Sequence, residues 1–386
     1  MSDQIRVLHL TTHDEDCGIA KYQEQFIDGM KSGKVENIIF PYSPNKTKRM
    51  SSSDQQKVIK ELANMVNDFD ILHIQHEFSF YEKNELLEIV KKVKSLNKKV
   101  IITVHTAPSA GYKKPVRGGL GPHSLLHYAR QKRAEREFID RHVLPMRLAD
   151  MVVVHNYITR QDLINHGVSQ ESIKVIRHPV RSVDENTAKS TEITNNLHRQ
   201  DNDVIFCTVG FPSPTKGILD AVKSLELLPA NYKLAIIGGV HPSGENEPFI
   251  NKLTDYIVNN NLLNRVYMTG YVEDDDYLNS LIRECDICVY PYDKKYYAHV
   301  SSGSLNHAIG NLKPVIAYPT ASFQEMNAEI PVIQFTKSFN YYELARSIQN
   351  IDIKQATEYS KEYAKMFNWP KEALAFIDIY QELLAK

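Results

Sequence analysis

The stretch Val204-Ile205-Phe206-Cys207-Thr208-Val209-Gly210-Phe211-Pro212-Ser213-Pro214-Thr215-Lys216-Gly217 decides the reading of the architecture. Val204–Val209 is an unbroken run of apolar and β-branched residues. Such a run suits a strand buried on both faces of a parallel sheet. Glycine and two prolines then turn the chain, and Gly217–Leu228 continues with helical periodicity. Strand, tight turn and helix are the unit of a doubly wound α/β sheet, in which ligands sit beyond the carboxyl ends of the strands. Lys216 stands at the start of the helix, where the macrodipole disfavours a cation and a bound anion would relieve it. The plainer alternative is a solvated lysine on a turn.

The same alternation runs in both directions from this stretch. Leu234–Ile237, Val266–Met268, Ile287–Val289 and Val315–Ala317 read as strands, with Pro248–Asn259 and Asp275–Glu284 as helices. Before it, Ile5–Leu10, Ile38–Tyr42, Ile71–Ile74, Val100–Val104, Met151–Val154 and Ile173–Ile176 read as strands. Ile19–Met30, Gln55–Met65 and Asn84–Leu96 read as the helices among them. Arg181–Asp203 is polar without apolar periodicity and reads as a linker. The chain is therefore read as two tandem Rossmann-like domains whose facing strand ends would share one cleft.

Composition narrows the function classes. Against 46 Lys and Arg stand 47 Asp and Glu, a formal charge of −1, so nothing draws the whole chain towards nucleic acid. Apolar residues at 42% are enough for buried cores and too many for a disordered chain. The four cysteines fit a reducing cytoplasm, and Cys285-x-x-Cys288 has no second pair to complete a zinc site. Neither a secretory signal nor a spanning apolar run is visible, so a cytoplasmic protein is expected.

Several segments are candidates for ligand contact. Cys17-Gly18-Ile19 opens a helix after the first strand, where backbone N–H groups can approach an anion. Neither G-x-G-x-x-G nor a Walker A loop is present, which argues against dehydrogenases and P-loop NTPases. Ser301-Ser302-Gly303-Ser304 precedes a short helix and offers N–H and hydroxyl donors suited to a diphosphate, or else a plain N-cap. His73, His76, His105 and His155 lie at or near strand ends in the first half, and His105 is the best candidate among them. Two long loops, Thr11–Cys17 with its acidic run Asp14-Glu15-Asp16 and Thr106–His123 with Lys113, Lys114 and Arg117, are candidate binding segments. The basic loop would suit phospholipid headgroups or an anionic glycan, or simply solvent.

The order of these motifs resembles the retaining glycosyltransferases of family 4, which have the GT-B fold. Lys216-Gly217 after Gly210, Gly270-Tyr271-Val272, Cys285-Asp286 before Ile287–Pro291, Pro314-Val315-Ile316-Ala317 and Ala321-Ser322-Phe323-Gln324-Glu325 carry the likeness in the second half. Gly18-Ile19, Asp70–Glu77, Val104-His105-Thr106 and Ala149–Val154 carry it in the first. The resemblance implies an acceptor-side domain over 1–182, a linker over 183–203 and a nucleotide-sugar domain over 204–366. It also implies a final helix within 367–386 that crosses back onto the first domain. Its implied activity is transfer of a sugar from a nucleoside-diphosphate sugar to a hydroxyl of a glycan, lipid or other acceptor, with retained configuration. No covalent nucleophile, cofactor or metal is expected. His105 and Lys216 take the catalytic roles, with Gly18, Tyr271, Val272, His299, Ser301, Ser302, Gly303, Ser304, His307 and Glu325 binding substrate. Two departures stand out: His299 and His307 occupy the places of the family's Glu-x7-Glu carboxylates, and Phe211 replaces its arginine after the glycine. They keep two alternatives in view, an inactive relative that serves as a binding subunit and a nucleotide-sugar epimerase of the same fold. Peripheral contact with the inner face of a membrane is a further expectation.

Overall fold

The computed structural model describes residues 4–13, 17–31, 33–47, 49–81, 84–108, 122–181, 183, 189–241, 244–298 and 301–385. The chain forms two compact units, one built chiefly from Met1–His178 and Trp369–Lys386, the other from Pro179–Ala298 and Ser302–Asn368.

The first unit holds six strands: β1 (Ile5–Thr11), β2 (Val35–Pro41), β3 (Ile71–His76), β4 (Lys99–Val104), β5 (Met151–Val154) and β6 (Ile173–Val175). They pair in the order β2-β1-β3-β4-β5-β6, every pairing parallel. Successive side chains leave opposite faces of a strand, which gives each face its own core. Leu8, Leu72, Ile102 and Val152 meet the Ser52–Val66 and Glu85–Ser95 helices on one face. Val7, Ile71, Ile101 and Val153 meet Phe26, Trp369, Phe376 and Tyr380 on the other. The helix Trp369–Leu384 is thus part of the first unit's core although it comes last in the chain, as the family resemblance implies. Trp369 Nε1 donates to Gln25 Oε1 at 2.8 Å, and Phe26 meets Phe376 edge to face at 4.7 Å.

The second unit repeats the plan. Its strands β7 (Val204–Val209), β8 (Tyr232–Ile237), β9 (Val266–Met268), β10 (Ile287–Tyr290), β11 (Val315–Ala317) and β12 (Ile333–Phe335) pair in the order β12-β11-β10-β7-β8-β9, again all parallel. Cys207, Ala235, Cys288 and Val315 point to one core, while Phe206, Leu234, Ile287 and Ile316 point to the other. Cys207 and Cys288 are register partners on neighbouring strands with sulfurs 3.3 Å apart, and both are buried free thiols.

Three readings of the sequence need correction. The linker over 183–203 is not a linker along its whole length. Glu192–Asn196 is a helix that places Ile193 and Leu197 in the second unit's core, and Lys233 pairs with Asp203 at 2.6 Å just beyond it. Only two apolar residues carry this anchorage, too few to register as periodicity. The boundary also falls earlier than 182: Val180 is fully buried in the second unit, and its N–H donates to the Phe367 carbonyl. Lastly, His123 belongs to a helix, Pro122–Phe138, rather than to the loop before it. That helix buries none of its described residues, so no apolar stripe marks it in the sequence. Asp14–Asp16 and most of the basic loop, including Lys113, Lys114 and Arg117, lie outside the described residues. No helix among the described residues is long and apolar enough to cross a membrane.

Candidate active site

In the second unit, Gly210 follows β7 with φ +99°, a left-handed conformation that any side chain would strain. A Cβ there would lie 2.6 Å from Lys216 Nζ and 3.9 Å from the Ser304 Cβ, so the ammonium and the serine flank the same bare backbone. Pro214–Lys216 is a single 3₁₀ turn. Gly217, at φ +64°, lets the helix Ile218–Glu226 start directly against the Pro291 carbonyl, where a Cβ would collide. Burial pushes the Lys216 amine down to about 8. Among the described residues no carboxylate pairs with it. A desolvated ammonium without a counter-charge is costly, and an anionic ligand relieves that cost.

Ser302 and Ser304 complete the cluster. Ser302 caps the helix Gly303–Gly310, accepting from the Leu305 N–H at 3.3 Å. Its hydroxyl lies 3.1 Å from Ser304 Oγ, and the Tyr292 hydroxyl reaches Ser304 Oγ at 2.9 Å and Ser302 Oγ at 3.3 Å. Gly303 faces open space at the helix start, and Ser301 beside it is half-buried. The Tyr271 ring is exposed and stacks on Phe211 at 5.4 Å and 14°, while Val272 packs against the core. Phe211 thus sets an aromatic face beside the Gly210 turn. His307, half-buried on the Gly303–Gly310 helix, faces Asn279 Oδ1 through Nδ1 at 3.1 Å. Glu325 lies half-buried in the short helix Ala321–Met326. His299 lies outside the described residues.

In the first unit, β3 and β4 bring His105 Nε2 to Gln75 Oε1 at 2.8 Å, and Gln75 Nε2 donates on to Gln23 Oε1 at 2.9 Å. The His105 ring stands edge-on to Tyr22 at 4.8 Å and 5.1 Å from that of His155. Burial first, and then the neighbouring His155 and His178, holds the His105 imidazole well below the usual histidine range, so it is neutral at physiological pH. A neutral ring is suited to hydrogen-bonding uncharged hydroxyls. Gly18 opens the helix Gly18–Gly29 beneath the Cys17 N-cap, with open space where a Cβ would be. Two of the other strand-end histidines already meet partners. His73 is buried between Tyr380 and Thr103 at 2.7 Å each, and His76 faces His142 at 3.2 Å.

Comparison with known proteins completes the description. Residues 15–182 match Glycosyltransferase Family 4, and residues 189–351 match Glycosyl transferases group 1. The chain belongs to the GT-B glycosyltransferases. No curated protein matches the sequence. Among solved structures it is similar to HepE of Anabaena in complex with UDP, at 14% identity and a TM-score of 0.69 over 98% of this chain and 100% of that one. It is similar to sucrose-phosphate synthase from Thermosynechococcus elongatus, at 15% identity and a TM-score of 0.71 over 99% and 100% of the two chains. A glycosyltransferase from Rickettsia africae shares 17% identity and a TM-score of 0.70, with 99% of each chain covered. At these identities the likeness shows the fold.

For a GT-B glycosyltransferase, two residues escaped the reading of the sequence. Tyr292 follows a strand in the apolar run Ile287–Tyr292, where nothing distinguishes its hydroxyl from a core tyrosine's. Asn279 is a helix residue twenty-eight positions before His307 and only the fold joins them.

Proposed function

We propose that this glycosyltransferase moves a sugar from a nucleoside-diphosphate sugar to a hydroxyl of a glycan, lipid or other acceptor, with retention of configuration. The observation that carries the reading is the Lys216 ammonium, desolvated beside Gly210 and the Ser302–Ser304 hydroxyls with no carboxylate partner among the described residues. The diphosphate is the leaving group, and its departure from an oxocarbenium-like carbon develops negative charge. Lys216 and the Ser302 and Ser304 donors meet that charge, which is where electrostatic stabilisation lowers the barrier. Tyr271 provides an aromatic surface for the base, and His307 a nitrogen for the ribose. His105 and Glu325 are the proposed contacts to the transferred sugar. No cofactor or metal enters the scheme, because protein cations and hydroxyls take the diphosphate. HepE was solved with UDP and with UDP-glucose, which supports a nucleotide sugar as donor.

The test is incubation with UDP-, GDP-, ADP- and TDP-sugars, with free nucleoside diphosphate and transferred sugar measured separately. Release that depends on acceptor and is abolished by Lys216→Ala supports transfer. An isomerised donor formed without acceptor selects an epimerase instead, and the absence of both turnover and nucleotide binding selects a binding subunit.

A further inference from the structure

At the carboxyl end of the first unit's sheet, where ligands sit in this architecture, Glu77 follows β3 directly. β3 and β4 end in register, His76 opposite Val104, and the His105 N–H donates on to the His76 carbonyl at 3.3 Å. Thr106 is thereby brought alongside Glu77, one residue beyond the proposed contact to the transferred sugar. The Glu77 carboxylate is held from two sides. Thr106 Oγ1 donates to Oε2 at 2.7 Å, and the Phe78 N–H donates to Oε1 at 2.9 Å. A carboxylate oxygen has two lone pairs, so these bonds leave an acceptor site on each oxygen. Glu77 is half-buried, and burial pushes its carboxyl up from the ordinary glutamate value, against the pull of the Thr106 and Phe78 bonds. Among the described residues no ammonium or guanidinium pairs with it. His76 before it and His105 on the neighbouring segment are held neutral, chiefly by burial. A partly desolvated carboxylate without a counter-charge favours a ligand that donates hydrogen bonds and disfavours one that brings a second negative charge.

We infer that the remaining lone pairs of Glu77 take a hydroxyl of the molecule that receives the sugar, and that this acceptor is a neutral saccharide rather than a phosphorylated one. The inference rests on the transfer reading above and narrows the acceptor within it. Thr106 and the Phe78 N–H fix one side of each carboxylate oxygen, which aims the other side. A hydrogen bond to a charged group is the stronger kind, so a single hydroxyl donor is enough to orient a sugar ring there. A phosphate monoester in the same place would set like charge against like in a partly dry site, with no cation from the described residues to offset it.

The test reads Glu77 directly. In ¹³Cδ-glutamate-labelled protein, the Glu77 carboxyl resonance is the one missing from Glu77→Gln. Methyl glycosides of glucose, galactose, mannose and N-acetylglucosamine, and their phosphate monoesters, are titrated against the free protein and against protein saturated with whichever of UDP, GDP or ADP binds. At least one neutral glycoside is expected to move that resonance saturably, and the phosphate monoesters to leave it in place. A resonance that no neutral glycoside moves, or that a phosphate monoester moves as far, overturns the inference. For the glycoside that moves it, Glu77→Gln should weaken binding about tenfold and leave nucleoside diphosphate affinity unchanged. Thr106→Val removes one bond to Glu77 but keeps the carboxylate, and should hold glycoside affinity within about threefold of wild type. Equal losses in the two variants would reduce Glu77 to a support for the Thr106 segment and overturn the acceptor contact. If no nucleoside diphosphate binds wild type, the donor reading fails on its own, while the titration of the free protein still decides the role of Glu77.

Discussion

Replacing Lys216 with methionine should raise the stability of the free protein while removing its grip on nucleotide. Moving a lysine from its ordinary 10.5 to about 8 corresponds to about 3 kcal/mol spent holding the ammonium charged at neutral pH. Relaxation and residual hydration reduce the recoverable part, so a gain of about 1–3 kcal/mol is expected for a side chain of similar length without charge. In a unit of this size each kcal/mol moves the melting temperature by about 2–4 °C. Losing a charge-assisted contact to the diphosphate costs about 1.5–3 kcal/mol, or about 10- to 150-fold in affinity. Thermal melts with and without UDP, GDP or ADP read both effects together. The reasoning fails if the variant melts below wild type yet keeps the full ligand-induced shift, because that pattern belongs to a lysine that supports the fold and ignores the ligand.

Other outcomes follow from neighbouring groups. A lysine whose value is lowered to about 8 is charged below that pH and neutral above it, so wild-type affinity for nucleoside diphosphate should fall as pH rises through about 8, while Lys216→Met stays flat; binding titrations from pH 6.5 to 9.5 check the slope. Tyr292→Phe removes the hydroxyl that joins Ser302 to Ser304 and should weaken nucleotide binding about three- to tenfold by calorimetry. Asp203→Ala leaves the Lys233 ammonium half-served by the Leu197 and His198 carbonyls and should lower stability by about 3 kcal/mol in urea melts. His105→Ala should leave nucleoside diphosphate affinity unchanged and cut turnover at least a hundredfold, measured as kcat against Kd.

The sheets were legible because their strands are continuous Val/Ile/Leu runs, the mark of burial on both faces. The Lys216 turn and the Ser302 N-cap were legible because glycine and serine mark strand-to-helix turns and helix starts. What escaped depends on distance in space rather than along the chain. Ile193 and Leu197 anchor a polar stretch by two side chains alone, and His307 meets Asn279, 28 residues away, only because the fold joins them. His73 and His76 look like ligand-facing residues by position, and only the fold reveals Tyr380 and His142 already at their nitrogens.

The placement of Trp369–Leu384 within the first unit has a consequence for biosynthesis. At about 5–20 residues per second, residues 179–368 keep a ribosome occupied for about 10–40 s after His178 has been added. During that interval Val7, Phe26 and Ile101 wait without Phe376 and Tyr380, and the apolar face they form stays wet. A nascent chain of this protein therefore offers chaperones a sticky half-made sheet, and expression of 1–178 alone should yield aggregate until a peptide spanning 369–385 is supplied in trans.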